Sequence, residues 1–249
     1  MARFNRLEAK YIVHRATRTA LTAALRPYMQ LDPHASGADG SYLLQSLYLD
    51  SPTRVAYTEK LDGVPRRIKL RLRVYDPGEG GDRPVFVEIK RKEGDFIFKQ
   101  RTSVTRAEYA ACFDGPLFWP PRLDDPVLHE YTRLARARAM RPSVLVRYRR
   151  QAFTGRRDAS IRVTFDDHVE ALQTNDLFTT EHSPFNALPP EHSVLEIKLS
   201  GREPRWLHRL VCRHDLDRRA ISKYLLCVRA AAKTSFRLSG EQQLLHELD

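Results

Sequence analysis

The sequence predicts an α+β fold, a closed antiparallel β-barrel of about eight strands with helices packed on the outside. Three observations lead to this expectation. The stretch Arg66 to Lys92 alternates Ile68, Leu70, Leu72 and Val74 with Arg67, Lys69, Arg71 and Arg73. After a Pro/Gly/Asp-rich turn it sets Phe86, Glu88, Lys90 and Lys92 against Val85, Val87 and Ile89. A period of two places such partners on opposite faces, so the stretch reads as a hairpin with one apolar and one ionic face. The same pattern recurs in run after run along the chain. So many two-faced strands in a flat surface sheet would leave few layers to enclose a core. Closed into a barrel with the apolar sides outward beneath helices, they turn their ionic sides toward a lumen.

Taken in order, residues 3–13 alternate, with Arg6, Glu8 and Lys10 opposite Leu7, Ala9 and Tyr11. From His14 to about Tyr28 the apolar spacing becomes helical. Residues 32–40 form a turn-rich linker, and 41–50 a strand carrying Ser46, Tyr48 and Asp50 on one face. Ser51-Pro52 opens a short helix ending near Asp62-Gly63. After the hairpin, a tight turn at 93–95 leads to a strand over 96–104 that offers Lys99 and Arg101. Helices are expected at 105–113 and 124–140, split by the segment Gly115 to Pro121. Strands follow at 143–153, with Tyr148 and Arg150 on one face, and at 159–167, with Arg162, Thr164 and Asp166. A loop over 174–193 precedes a strand at 192–201 bearing Glu196 and Lys198. Two helices, about 204–215 and 221–234, close a single domain over 1–238, and 239–249 form a polar tail.

Lys and Arg number 42 against 31 Asp and Glu, a net charge of +11, so an anionic partner is the default. The three cysteines, Cys112, Cys212 and Cys227, lack Cys-x-x-Cys spacing and read as reduced core thiols of a cytoplasmic protein. No stretch is apolar for long enough to span a membrane or to resemble a signal peptide.

A lumen lined by Lys10, Lys69, Arg71, Arg73, Lys90, Lys99, Arg150, Arg162 and Lys198 demands water, counterions or a polyanion. Two like charges about 4 Å apart repel by roughly 4 kcal/mol at an effective dielectric of about 20. Arginine grips phosphate oxygens through its fork and lysine as a point charge. The acid-lysine pairs Glu8/Lys10, Glu88/Lys90 and Glu196/Lys198 add hard oxygen ligands suited to Mg2+ or Mn2+. Each residue also has a plainer reading: the glutamates as cross-strand partners of lysine, Tyr148 as a packing residue, Lys223 as a solvated helix residue, and the nine histidines as structural or surface groups. Nucleic acid is disfavoured because the basic residues alternate within strands among acids. Neither Trp119 nor Trp206 lies on a basic strand face.

The motifs R-x-E-x-K-Y (6–11), S-L-Y-L-D (46–50), K-L-D-G-V (60–64), K-L-R-L-R (69–73), E-I-K (88–90), R-Y-R-R (147–150), L-E-I-K (195–198) and S-K-Y (222–224) occur in this order. In them the chain resembles VTC-type polyphosphate polymerases of the triphosphate tunnel metalloenzyme (CYTH-like) superfamily. The likeness implies a tunnel that binds ATP and polyphosphate along its axis with Mn2+ or Mg2+. It implies catalytic roles for Arg71, Arg73, Lys90, Arg150 and Arg162, with Lys10, Tyr148, Ser222 and Lys223 binding substrate; the charge pattern of the strands adds Lys69, Lys99 and Lys198 to the substrate-binding residues. Glu196 would hold the metal, with Glu8 or Glu88 assisting through water. Arg6 stands where the hydrolase and cyclase branch carries its first acid, which favours the polymerase branch. Ala220 stands where the family often has a lysine, and Arg218 or Arg219 would supply that charge.

No nucleophilic side chain is required, because phosphoryl transfer is governed by positioning and charge neutralisation. Two other function classes share these features: a tunnel triphosphatase acting on inorganic or nucleoside triphosphate, and a non-catalytic polyphosphate-binding module. The sequence is silent on oligomeric state, preferred donor, regulatory ligand and any membrane partner.

Overall fold

In chain order the secondary structure is β1 (Arg6–His14), α1 (Arg15–Leu25), β2 (Met29–Leu31), β3 (Ser41–Asp50), α2 (Val55–Leu61), β4 (Arg66–Tyr75), β5 (Val85–Glu93), β6 (Phe96–Val104), α3 (Arg106–Phe113), α4 (Pro126–Ala137), β7 (Arg141–Gly155), β8 (Arg162–Leu172), β9 (Phe185–Asn186), β10 (His192–Ser200) and α5 (Arg205–Arg213). A further helix, α6, covers 223–232. The computed structural model describes residues 6–33, 37, 39–77, 83–94, 96–113, 125–179 and 184–232. Trp119, the segment 115–121, His182, the tail 239–249 and the side chain of Arg6 lie outside the described residues.

The sheet follows the order β1-β10-β8-β7-β3-β4-β5-β6, with the short strands β2 on β7 and β9 on β8. Eight strands on this path match the expected number, and every described pairing is antiparallel. The expected closure into a barrel is not among these ladders: β1 and β6 end the path, and no described ladder joins them. Period-two alternation sets which face a residue takes, but it carries nothing about whether first and last strands meet. Strand boundaries also shift. β7 and β8 run to Gly155 and Leu172, beyond the expected 153 and 167, and β2 and β9 were not anticipated because neither is long enough to show a period.

By backbone contacts the chain divides into two compact units, which split β3, β7 and β8 between them. The first comprises Met1–Leu43, Tyr148–Val169 and Leu188–Ser222; the second comprises Leu44–Arg147, Glu170–Ala187 and Lys223–Asp249.

In the second unit the apolar faces of β3, β4 and β5 meet in the cross-strand rows Leu47–Leu72–Val87 and Leu49–Leu70–Ile89, all at most 1 % exposed. Leu128, Tyr131, Leu134 and Ala135 of α4 and Tyr109 and Cys112 of α3 complete this core. The start of α4 is set locally: Asp125 accepts from the amides of Val127 (2.9 Å) and Leu128 (3.1 Å), and Pro126 fills the first turn. The same carboxylate accepts the Thr102 hydroxyl at 2.6 Å, tying the helix start to β6.

In the first unit the apolar faces carry Ala9, Tyr11 and Val13 of β1, Val163 and Phe165 of β8, and Leu195, Ile197 and Leu199 of β10. Leu21 and Leu25 of α1 and Leu207 of α5 cover them. Each unit thus buries its apolar strand faces under helices, as the alternation predicted. Of the cysteines, Cys112 and Cys227 are buried, but Cys212 is exposed on α5, contrary to the expectation of three core thiols. Its neighbours Arg209 and Arg213 give the same helix a wet side, which a single cysteine does not reveal.

Leu72→Ala is expected to destabilise the protein by about 2–5 kcal/mol in urea unfolding, because the site is closed on all sides. Arg133→Ala, which removes an exposed pair with Glu130, is expected to leave the urea midpoint nearly unchanged.

Candidate functional site

The ionic face of the second unit is built by register. Ser46, Arg73, Phe86 and Ser103 share one row; Tyr48, Arg71, Glu88 and Arg101 share the next. Lys69, Lys90 and Lys99 form a third across β4, β5 and β6, and Arg67, Lys92 and Ile97 a fourth. Glu88 is only 1 % exposed and is surrounded by cations. Arg71 donates to its Oε2, Lys99 lies 2.5 Å from its Oε1, and Arg101 lies 3.6 Å away. Burial pushes the Glu88 carboxyl up, but Arg71, Arg73 and Lys99 overcome that and hold it at about 2.

Arg73, also buried, donates to Ser46 Oγ at 3.0 Å. Arg71 reaches Tyr48 Oη at 3.0 Å, and Arg101 lies over the Phe86 ring at 3.4 Å. These contacts fix the planar guanidinium groups in place. Lys69 sits 5.1 Å from the centroid of the Tyr224 ring. Burial pushes its amine down to about 8, opposed by Tyr48 and helped by Lys60, Lys90 and Arg67. Tyr48 is raised by burial and drawn back down by Arg71, Arg73 and Lys69, to about 8. A lysine and a phenol that both titrate near 8 mark a strongly positive, poorly hydrated surface.

Beneath this face, Asp50 closes the start of α2. Its carboxylate accepts from the amides of Ser51 (2.8 Å), Ala56 (2.7 Å) and Tyr57 (3.0 Å), and also takes the Tyr224 hydroxyl. Tyr224 in turn lies 5.1 Å from the Tyr48 ring, so the S-L-Y-L-D and S-K-Y stretches meet through these two tyrosines and Asp50. Burial and the neighbouring Asp50 carboxylate push the Tyr224 phenol upward.

The ionic face of the first unit is balanced instead. Glu8 lies opposite Lys198 and Lys10 opposite Glu196, a checkerboard of charge across β1 and β10. Lys10 is 2.8 Å from Glu8, and Lys198 is 2.6 Å from Glu196. Asp166, fully buried, holds Arg150 through two bonds of 2.6 and 2.8 Å, while Glu196 Oε2 stands 3.9 Å from the same guanidinium. Burial pulls the Arg150 guanidinium down, but Asp166, Tyr148 and Glu196 outweigh it and push it well above its ordinary value. Arg150 also lies 5.3 Å over the buried Tyr148 ring. Arg162 bonds Asp32 at 2.9 Å. The chain before Ser222 is laid along β1: the Arg219 amide donates to Lys10 O at 2.8 Å, and Lys10 Nζ to Ile221 O at 3.5 Å.

The VTC domain profile matches residues 5–232, almost the whole chain. The chain belongs to the VTC domain family. No curated protein sequence matches this VTC domain significantly. Among solved structures it is similar to a protein of Bacillus halodurans described as an adenylate cyclase, at 10 % identity and a TM-score of 0.51, covering 87 % of this chain and 93 % of that one. It is also similar to a Hippeastrum protein described as an adenylyl cyclase with dominant triphosphatase activity, at 13 % identity and a TM-score of 0.50, covering 90 % and 96 %. At such identities the likeness is one of fold alone.

Within the VTC domain, the second unit brings together Arg71, Arg73, Lys69, Lys90, Lys99 and Glu88. The first brings together Tyr148, Arg150, Glu196, Lys198, Lys10 and Glu8, while Arg162 lies one strand away, opposite Lys198. Ser222 and Lys223 are half-buried where α6 begins. Sequence reasoning missed the roles of Asp166, Asp32, Asp50 and Tyr224. Asp166 had shown a signal, an acid continuing the Arg162/Thr164 face, but its partner Arg150 is distant in sequence and only the register joins them. Among the described residues no group of three or more His, Cys, Asp or Glu side chains is placed to hold a metal alone, and no helix is long and apolar enough to cross a membrane.

Because Glu88 ionises at about 2 in the fold and near 4.5 when unfolded, its stabilising share is complete above pH 4.5 and vanishes as pH falls through 2. Thermal melts of wild type across this window are expected to show a loss of about 3 kcal/mol that Glu88→Gln, already destabilised, largely lacks.

Proposed function

We propose that this VTC domain transfers the γ-phosphoryl group of ATP to the end of a growing inorganic polyphosphate chain, held in a closed basic tunnel, with Mn2+ or Mg2+ as cofactor. The observation that carries the reading is the lysine row Lys69–Lys90–Lys99 beside Arg71 and Arg73, a continuous cationic strip on three paired strands. In those rows the described acid is Glu88, itself buried beneath cations, so the strip keeps a large surplus of positive charge. A row of lysines on adjacent strands matches a repeating phosphate chain better than a compact anion. The reading takes residues 1–238 as one catalytic domain in the cytoplasm, supported by the profile match over 5–232 and by the triphosphatase activity described for the Hippeastrum protein.

In the transfer, the bond from the γ-phosphorus to the β–γ bridging oxygen breaks and a terminal polyphosphate oxygen forms a new bond to that phosphorus, releasing ADP. The attacking oxygen is already ionised at neutral pH, so no general base is needed. Arg71 and Arg73, locked by Tyr48 and Ser46, hold phosphate oxygens in a fixed orientation. Arg150 and Arg162, each tied to an aspartate, offer their remaining N–H groups. Lys90 neutralises charge, and Lys10, Lys69, Lys99, Tyr148, Lys198, Ser222 and Lys223 contact the polyanion.

The donor chemistry on β8 and β10 fits a hard divalent ion. Glu196 lies directly across from Thr164, whose buried hydroxyl makes no hydrogen bond among the described residues. One carboxylate and one hydroxyl leave most positions to phosphate oxygens and water, the usual arrangement for Mg2+ in nucleotide sites. When bound, the metal would neutralise phosphate oxygens. Glu8 would assist through water. Glu88, enclosed by Arg71, Lys99 and Arg101, is the weakest of the three glutamates for this role.

Incubation with ATP and Mn2+ is expected to yield ADP and long phosphate chains, resolved by length on a gel. Arg71→Ala should lower the rate by about a hundredfold or more with the fold retained by circular dichroism. Free phosphate without chains would replace the polymerase reading by a triphosphatase, and binding without turnover would leave a polyphosphate-binding module. Because the Lys69 amine is held near 8 against its ordinary 10.5, triphosphate affinity measured by calorimetry should weaken as pH rises through 8. Lys69→Arg, charged throughout, should flatten that dependence.

A further inference from the structure

We propose that the tip of the β5–β6 hairpin docks on the surface of a lipid bilayer that carries anionic headgroups. The tip is apolar and open: Phe96, Ile97 and Phe98 are 62 %, 48 % and 51 % exposed. Consecutive strand residues point to opposite faces. Phe96 and Phe98 therefore continue the face of Gln100 and Ile89, while Ile97 lies on the ionic face opposite Lys92. Large apolar groups thus project from both sides of the tip, where a groove on a protein partner would cover one. Immersion in the headgroup and upper acyl region covers both.

A neighbouring element extends the patch. The Gly94 amide donates to Pro65 O at 3.2 Å, tying the turn to the loop after α2, and Leu61 at the end of that helix is 51 % exposed. Gly94 has φ +56°, which glycine adopts without strain and which keeps the turn tight. The surroundings are cationic: Arg66 is exposed, Arg67 and Lys92 are half-buried, and Lys99 and Arg101 stand further along β6, five basic residues against two acids in the turn sequence, Asp95 and the exposed Glu93. Aromatic rings flanked by lysine and arginine suit an anionic interface, where rings settle at headgroup depth and the cations meet lipid phosphates.

A second copy of this chain is the competing occupant, because among the described residues β6 ends the sheet path and pairs only with β5. Edge-to-edge pairing would bring Lys99 and Arg101 against the same residues of another chain of net charge +11. An anionic surface meets the same edge with opposite charge.

The test uses the full chain and sedimentation with vesicles of phosphatidylcholine alone or with about one-third phosphatidylserine. Wild type is expected to sediment with the anionic vesicles and to keep part of that binding at raised salt, where charge attraction alone is screened. Ile97→Asp and Phe98→Asp should each lower the bound fraction about tenfold. Phe98→Trp should show a blue-shifted emission on adding the anionic vesicles, and this reading decides the matter if the aspartate variants fail to fold. Failure of wild type to sediment would overturn the proposal. So would binding that survives both aspartate variants, which is charge attraction alone, or a dimer seen by light scattering that Phe98→Asp dissociates while vesicles are ignored.

Discussion

Lys69, Lys90 and Lys99 stand side by side on three hydrogen-bonded strands, and their mutual repulsion is the constraint around which the second unit is arranged. Charges about 5 Å apart at an effective dielectric of about 20 repel by roughly 3 kcal/mol, a large fraction of a domain's net stability. Part of the relief comes from Glu88 in the adjacent row, held ionised at any pH the protein would meet. Part comes from the depressed Lys69 amine, which lets one member of the row give up its proton. What remains is a surplus of positive charge concentrated on this face.

The first unit handles charge differently. Its acids and bases alternate across β1 and β10, and Arg150 is clamped by Asp166. Such pairs add little net stability, since the desolvation of each ion offsets much of the attraction. Their value lies in direction: a guanidinium held on two sides presents its remaining donors at a set angle, which a free arginine does not. One unit therefore contributes surplus charge and the other oriented, neutralised groups.

The plainer readings of individual residues and the functional ones turn out to coexist. Glu8, Glu88 and Glu196 are all cross-strand partners of lysine or arginine. Among the described residues, Glu196 also lies opposite a buried hydroxyl, that of Thr164, for which no hydrogen-bond partner is found. Tyr148 is a packing residue by burial, yet its ring supports Arg150. Lys223 is half-buried, and the tyrosine after it connects Asp50, Tyr48 and Lys69.

The alternation of Ile68 to Val74 with Arg67 to Arg73 was enough to determine which side chains share a face, because the period of a strand is a local property of the backbone. Ordered motifs spread over the chain were likewise enough to reveal the family. Register was not available in this way: that Glu88 falls between Arg71 and Arg101, or Glu196 opposite Thr164, depends on hydrogen bonds between strands far apart in sequence. Nor was the clamp of Asp166 on Arg150, the Asp50–Tyr224 contact, or the outward display of Phe96, Ile97 and Phe98. A strand pattern states that a residue is apolar, but only the surrounding chain decides whether anything comes to cover it.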